Sequence, residues 1–201
     1  MKTYSVTYSD RMKYVYFRVP KAATQSMIDM LNVRTIITGG FPLGSKMVDK
    51  GYNVEYRQEW DNYIKFTLVR NPIDRILSCY KDKIAPDCPW NQSFRQKLNI
   101  SPGQDIKFRD FLKLLQDNAK LNADEHWAPQ VELIPPIDKL QLIMRLETIS
   151  DDIDTLSGKI GRDLELYSRN RWTTSVTLLP EIDDIDLIRE LYHEDFTQLG
   201  Y

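Results

Sequence analysis

The chain has 201 residues, two cysteines and a formal net charge of −2 at pH 7. A nucleic-acid-binding protein normally carries a basic excess, so this charge argues against a nucleic acid as partner. Cys79 and Cys88 form neither a metal-binding set nor a disulfide framework, and whether they pair stays open. No apolar run approaches the roughly 20 residues that span a bilayer, and the N-terminus lacks the apolar core of a signal peptide. We therefore expect a cytoplasmic protein without a membrane segment.

The chain length suits a single domain over residues 1–201, with a short lead-in over 1–13. Residues 14–19 are rich in β-branched and aromatic types, which predicts a short buried strand that Pro20 ends. A tight loop with Lys21 follows, and Thr24 or Gln25 then opens a helix. Such a loop directs backbone N–H groups and the positive end of a helix dipole at one spot, so it predicts an anion site.

Residues 33–37 predict a second strand. Residues 38–60 are rich in glycine and predict a loop, with a helix near 55–63, which we interpret as a wall or lid of the site.

A second segment repeats the plan of the first. Residues 65–69 predict a buried strand with Arg70 at its carboxyl end, and Pro72 lies in the first turn of the helix that follows. Arg70 and Ser78 lie outside the apolar stripe of that helix, so together they can bind one phosphate. Residues 65–83 also carry five basic residues against two aspartates, which favours anion binding in this region.

The rest of the chain predicts three helices, at 108–115, 150–160 and 183–196, and one strand at 140–146. Strands followed by helices imply right-handed crossovers and a parallel sheet. The predicted fold class is α/β, a three-layer α/β/α domain with a central parallel sheet. Both anion loops then follow the carboxyl ends of strands, where open α/β sheets bind ligands.

The two segments together resemble the cofactor motifs of PAPS-dependent carbohydrate sulfotransferases, most closely those of the chondroitin/dermatan 4-O type. The resemblance extends, in the family's order, to residues 107–111, 125–127, 146–148, 192–196 and 200–201. It implies a P-loop-like sulfotransferase fold and transfer of the sulfuryl group of PAPS to a hydroxyl, with a carbohydrate as the expected acceptor. It implies no metal.

The resemblance also implies roles for individual residues. Arg70 and Ser78 correspond to the pair that binds the 3′-phosphate. Arg171 corresponds to a loop that closes over the nucleotide, from which it could reach the 3′-phosphate, and a solvent-exposed loop is the alternative. Relatives commonly carry threonine where this chain has Gln25. The loop that binds the 5′-phosphosulfate corresponds to Lys21, Ala22, Ala23, Thr24, Gln25 and Ser26.

Two residues are candidates for catalysis. Lys21 can offset the charge that grows on the leaving phosphate as the S–O bond breaks. His126, in the family's Glu-His-Trp segment, is a candidate base for the acceptor proton, because an imidazole has an ordinary pKa of about 6.5. Glu55 and Glu59 are the alternatives for the base.

Two other functions compete with this one. A non-catalytic nucleotide- or glycan-binding descendant of the fold would explain Gln25 and the uncertain base. A P-loop kinase would need Gly-x-x-x-x-Gly-Lys-Ser/Thr, whereas the loop at Lys21 contains no glycine. Labelled sulfate transfer separates these alternatives.

Overall fold

The computed structural model describes residues 2–32, 49–85, 92–101, 103–165 and 179–201. Within these ranges the strands are β1 (Thr3–Ser9), β2 (Tyr14–Phe17), β3 (Asp49–Glu55), β4 (Ile64–Val69) and β5 (Leu142–Arg145). The α-helices are α1 (Thr24–Asn32), α2 (Pro72–Lys83), α3 (Gln92–Lys97), α4 (Phe108–Gln116), α5 (Asn118–Leu121), α6 (Gln130–Leu133), α7 (Ile149–Ile160), α8 (Ile182–Leu191) and α9 (His193–Leu199). Short 3-10 helices cover Gln58–Asn62, Ile137–Lys139 and Leu146–Thr148.

The five strands form one mixed sheet in the order β3-β1-β2-β4-β5. Strands β2, β4 and β5 are parallel, with Tyr16 opposite Phe66 and Thr67 opposite Ile143. Strand β1 is antiparallel to β2, and β3 is antiparallel to β1. The predicted α/β class is confirmed, and the predicted parallel sheet gains two antiparallel strands at one edge.

Burial explains why strands β2 and β4 form. All four residues of β2 are buried, and five of the six residues of β4 are buried. Strands covered on both faces read as apolar runs, and β2 follows this rule, whereas β4 also buries Lys65 and Thr67. Because β2 and β4 are parallel, their carboxyl ends lie at the same edge of the sheet.

The predicted lead-in over residues 1–13 is wrong, because it contains strand β1. Tyr4 and Val6 are buried, and Val6 lies opposite Phe17 in the ladder. The ring of Tyr4 contacts the ring of Phe17 edge-on at a centroid distance of 5.3 Å. Polar residues alternate with apolar ones from Thr3 to Ser9, which is the period-2 pattern of a half-buried strand, and the lead-in prediction overlooked it.

The predicted loop over residues 38–60 contains strand β3, so the prediction is wrong for Asp49–Glu55. This strand forms an edge of the sheet and is mostly exposed, which explains its polar sequence. A side chain at Gly51 would place its Cβ 2.3 Å from Cγ2 of Val54, so a larger residue there would force the Val54 side chain to move. The predicted helix near 55–63 corresponds to the 3-10 helix Gln58–Asn62. The predicted strand at 33–37 lies outside the described residues.

The helices largely follow their predicted positions. Helix α2 begins at Pro72, and its N-cap Asn71 accepts a hydrogen bond from the N–H of Ile73 at 3.0 Å. The single helix predicted over 183–196 is instead two helices, α8 and α9, which meet at Tyr192. Tyr192 leaves helical dihedral angles (φ −114°, ψ 27°), and its buried hydroxyl donates to the carbonyl of Trp127 at 2.7 Å.

The chain divides into two compact units. The first unit, Met1–Val69 and Leu133–Asn170, contains the sheet with α1 and α7. The second unit, Arg70–Glu132 and Arg171–Tyr201, has a core built by α2, α4 and α8, with the buried rings of Phe111, Trp127 and Tyr192. A single domain over 1–201 stays a prediction. In the described parts of the chain, none of the helices has both the length and the apolar sequence needed to cross a bilayer.

Candidate functional site

The loop between β2 and α1 has an unusual backbone for its sequence. Lys21 has φ 71° and Ala23 has φ 51°, so two non-glycine residues, separated only by Ala22, adopt the left-handed region. An L-residue pays roughly 1–2 kcal/mol for this conformation. Where left-handed residues alternate with right-handed ones, successive N–H groups turn toward one concave side and can bind an anion.

Two hydrogen bonds close this loop on a single carbonyl. The hydroxyl of Thr24 donates to the carbonyl of Val19 at 2.6 Å, and the N–H of Ala22 donates to the same oxygen at 3.4 Å. The N–H of Met27 donates to the carbonyl of Ala23 at 3.1 Å, which starts the hydrogen bonding of α1. The first N–H groups of a helix have no intrahelical acceptor. The amides from Ala23 to Ser26 can therefore face an anion.

The polar side chains of the loop, which the resemblance places at the 5′-phosphosulfate, have different surroundings from one another. The hydroxyl hydrogen of Thr24 is used inside the loop, and the amide of Gln25 donates to Oδ1 of Asp29 at 2.8 Å on the exposed face of α1. Ser26 is half-buried in the first turn of α1. Backbone N–H groups, the Lys21 ammonium and the Ser26 hydroxyl are thus the groups of this loop that suit a phosphosulfate.

Arg70 is the residue that follows Val69, the last residue of β4. It is half-buried and precedes Asn71, the N-cap of α2, so a guanidinium and the positive end of a twelve-residue helix belong to the same short segment. Ser78 lies about two turns into α2 and is half-buried. This segment suits a phosphate. Arg171 and Cys88 lie outside the described residues, whereas Cys79 is a buried thiol in α2.

His126 is paired with a carboxylate that the sequence analysis did not single out. Its Nδ1 lies 2.6 Å from Oδ1 of Asp124, and its backbone N–H donates to the same oxygen at 3.0 Å. A carboxylate only accepts, so Nδ1 carries the hydrogen and Nε2 is the nitrogen that can take up a proton. The ring packs edge-on against Phe94, with centroids 4.9 Å apart.

Asp124 is held in its ionised form. Burial alone would raise its pKa, but hydrogen bonds from the His126 ring and from the Lys97 ammonium hold the pKa well below its ordinary value. The Asp124 side chain is 6% exposed, whereas that of His126 is 24% exposed. The pair therefore presents a partly exposed imidazole that a fixed negative charge orients, which is the arrangement of a general base.

The two alternative bases have different surroundings. Glu59 lies in the 3-10 helix Gln58–Asn62, where a hydrogen bond from Arg57 lowers its pKa. A carboxylate stabilised in this way is a weak proton acceptor. Glu55 is exposed at the end of β3. Of the three candidates, His126 has the surroundings that best suit proton uptake.

Two basic residues of the second segment serve the structure. The Lys65 ammonium is 4% exposed and donates to the carbonyls of Trp60, Asp61 and Tyr63 at 2.9, 3.1 and 3.2 Å. The Arg75 guanidinium is 2% exposed and donates to the carbonyls of Ala128 and Glu125 at 2.7 and 2.8 Å. The positive charge counted over residues 65–83 therefore overstates the charge that an external anion can contact.

A comparison with known proteins decides the family. The sequence model of the Sulfotransferase family matches residues 4–201, which is nearly the whole chain. The chain belongs to the Sulfotransferase family.

Relatives within the Sulfotransferase family include carbohydrate sulfotransferases of animals. Carbohydrate sulfotransferase 14 of Mus musculus is 30% identical over 145 residues, covering 64% of this chain and 39% of its own length. The Homo sapiens protein of the same name is 28% identical over the same shares. Carbohydrate sulfotransferase 10 of Pongo abelii is 23% identical over 187 residues, covering 77% of this chain and 52% of its own length. The chain thus spans about two fifths to one half of these relatives. No solved structure matches it.

Proposed function

We propose that this member of the Sulfotransferase family transfers the sulfuryl group of PAPS to a hydroxyl of a carbohydrate acceptor. The observation that carries the proposal is the loop before α1, where Lys21 and Ala23 hold left-handed dihedral angles without any glycine. Such strain persists where the surrounding structure enforces it, and it concentrates at ligand sites. The acceptor class rests on the carbohydrate sulfotransferases among the relatives.

PAPS supplies an activated sulfuryl group, and the S–O bond to its 5′-phosphate is the one that breaks. The amides of Ala23 to Ser26 would bind the 5′-phosphate, and the Lys21 ammonium would offset the negative charge that develops there. The Arg70 guanidinium and the Ser78 hydroxyl would bind the 3′-phosphate. Arg171 remains a further predicted contact to that phosphate.

The acceptor hydroxyl must lose its proton as its oxygen forms a bond to sulfur. His126 would take up this proton at Nε2, and Asp124 would stabilise the imidazolium that forms. In this proposal Lys21 would offset the charge on the leaving phosphate, and the His126–Asp124 pair would carry the proton taken from the acceptor. No metal is part of this proposal, and a cytoplasmic location stays a prediction from the sequence.

The test is transfer of labelled sulfate from PAPS to a panel of glycans and small alcohols, together with PAP binding by calorimetry. Arg70→Ala should weaken PAP binding by about 1.5–3 kcal/mol, the usual contribution of a hydrogen bond to a charged group. Lys21→Ala should slow turnover by a larger factor than it weakens binding, because its charge acts mainly as the S–O bond breaks.

Arg189→Ala and Lys113→Ala, at exposed positions on α8 and α4, are matched controls that should change neither quantity. Full turnover by Lys21→Ala would contradict its catalytic role. PAP binding without transfer to any acceptor would favour the non-catalytic alternative.

A further inference from the structure

A buried amide side chain holds the backbone of Arg70 from both sides. Oε1 of Gln130 accepts from the N–H of Arg70 at 3.0 Å, and Nε2 of Gln130 donates to the carbonyl of Arg70 at 2.8 Å. Gln130 is fully buried, with 0% of its surface exposed. Its amide therefore pairs with Arg70 in the way that a neighbouring strand would.

The position of Arg70 explains why this contact is needed. Strand β4 and its parallel pairing with β5 both end at the preceding residue, Val69. The next residue after Arg70 is Asn71, which already has a different task as the N-cap of α2. The two hydrogen bonds from Gln130 therefore fix the backbone that carries the guanidinium between the end of the strand and the start of the helix.

A second buried side chain fixes Gln130 in turn. Asp195, on α9, is 0% exposed and accepts from the N–H of Gln130 at 2.9 Å and from the N–H of Val131 at 3.0 Å. One carboxylate thus binds the first two amides of α6. Burial raises the pKa of Asp195, while these N–H groups and the charge of Arg75 oppose that change.

Further contacts hold the chain just before Gln130. Arg75 donates to the carbonyls of Glu125 and Ala128, and the hydroxyl of Tyr192 donates to the carbonyl of Trp127. Side chains from α2 and from the C-terminal helices thus bind a run of backbone groups between Glu125 and Val131. Gln130 is therefore a rigid partner for Arg70.

We propose that Gln130 and Asp195 are positioning residues for the nucleotide site: Asp195 fixes Gln130, and Gln130 fixes Arg70 in the orientation that binds the 3′-phosphate. This inference rests on the proposed function, since it takes Arg70 as a nucleotide-binding residue. Both side chains are fully buried, so neither can reach a bound nucleotide, and both would act through Arg70.

The test compares Gln130→Leu with wild type by PAP calorimetry and by steady-state kinetics. The leucine keeps roughly the size of the side chain but removes both hydrogen bonds to Arg70. We expect PAP affinity to fall by about tenfold and KM for PAPS to rise in parallel, with kcat changed much less. Gln198→Leu removes an exposed amide on α9 and is the matched control, with no expected change.

A double-mutant cycle separates positioning from a general effect on folding. In an Arg70→Ala background, Gln130→Leu should weaken PAP binding no further, because the side chain it positions is gone. An equal loss of PAP affinity in both backgrounds, or wild-type affinity in Gln130→Leu, overturns the inference.

Asp195→Asn is the second variant, since it keeps the shape and one accepting oxygen and disturbs folding less. A PAP affinity between those of wild type and Gln130→Leu supports the inference. If Gln130→Leu does not fold, wild-type affinity in a folded Asp195→Asn overturns it. Failure of the wild-type protein to bind PAP overturns the proposed function and this inference together, whereas wild-type binding with unaffected variants overturns this inference alone.

Discussion

Asp124, the partner of the proposed base His126, also bears on stability. It lies between the imidazole of His126 and the ammonium of Lys97, and both donate to it. Burial is unfavourable for its charge, but the two donors outweigh that effect and lower its pKa. A carboxyl whose pKa is lower in the folded state than in the unfolded state contributes stability above the unfolded pKa. That contribution is lost as the pH falls through the folded pKa.

We therefore predict that Asp124→Asn lowers the free energy of unfolding by about 1.5–3 kcal/mol near pH 5, because it removes hydrogen bonds to a charged group. The difference from wild type should shrink as the pH falls below the ordinary value of 3.8, since wild-type Asp124 then loses its advantage. Urea unfolding at several pH values measures this difference. Asp154→Asn, at an exposed position on α7, should show no such trend, and a difference independent of pH would contradict the assignment.

At the level of single residues, the sequence offered candidates whose roles stay predictions. Lys21, Arg70 and His126 were proposed from their positions after strands or in a recognised segment. Asp124 was missed, although its spacing of two residues before the histidine is a usable signal for an aspartate that caps its own turn. Gln130 could not have been found, because nothing in a sequence distinguishes a buried amide that pairs with a backbone from an exposed one.

The dihedral angles of the loop between β2 and α1 could not be predicted from its residue types. Left-handed residues are normally expected at glycine or asparagine, but here they are Lys21 and Ala23. The residue types therefore predicted that a turn occurs here but did not predict its left-handed residues. The loop stores backbone strain that the hydrogen bonds to the carbonyl of Val19 must offset.

This strain predicts opposite behaviour for two adjacent substitutions. Ala23→Gly has two opposing effects: it removes the strain of a left-handed alanine from the folded state, and it gives the unfolded chain more freedom. Because the two effects offset each other, the free energy of unfolding should change by less than about 1 kcal/mol. Ala22→Gly, at a buried position without a positive φ, should cost about 1–2 kcal/mol. Chemical denaturation of both variants measures the contrast. An equal loss in the two would show that the loop carries no strain at Ala23.

The elements that were predicted wrongly have different causes. Strand β1 alternates polar and apolar residues from Thr3 to Ser9, a strand pattern that was overlooked, whereas strand β3 is polar and forms because it pairs with β1. The division of the last helix at Tyr192 also depends on a distant partner, the carbonyl of Trp127. Elements with strong local signals, such as β4 and α2, were predicted because their own residue types indicate burial and helix capping.

For the whole molecule, nucleotide binding should appear as added stability. A ligand that binds only the folded state raises the free energy of unfolding by about 2.7 kcal/mol at one hundred times its dissociation constant. We predict a rise of this size with PAP by thermal or chemical unfolding. At the same concentration, adenosine 5′-monophosphate should give a smaller rise, because it lacks the 3′-phosphate assigned to Arg70. Equal rises for the two nucleotides would contradict that assignment.

The charge of the molecule is also arranged differently from what its composition suggests. Several cations are almost fully buried and donate to backbone carbonyls, namely Arg18, Lys65, Arg75 and Arg95. Buried charges are tolerated when hydrogen bonds satisfy their donors. These residues are held by the backbone of the protein itself, so a count of basic residues along the sequence is a poor measure of the field at a binding site.

The burial of the Lys65 ammonium has a consequence for its chemical reactivity. An acylating reagent that modifies amines must reach the nitrogen, and the Lys65 ammonium is enclosed by the three carbonyl oxygens of Trp60, Asp61 and Tyr63. Exposed lysines such as Lys113 would react at once, whereas Lys65 would react only during openings of the segment around Gln58–Asn62. The rate at which Lys65 is acylated therefore measures how often the segment around Gln58–Asn62 opens.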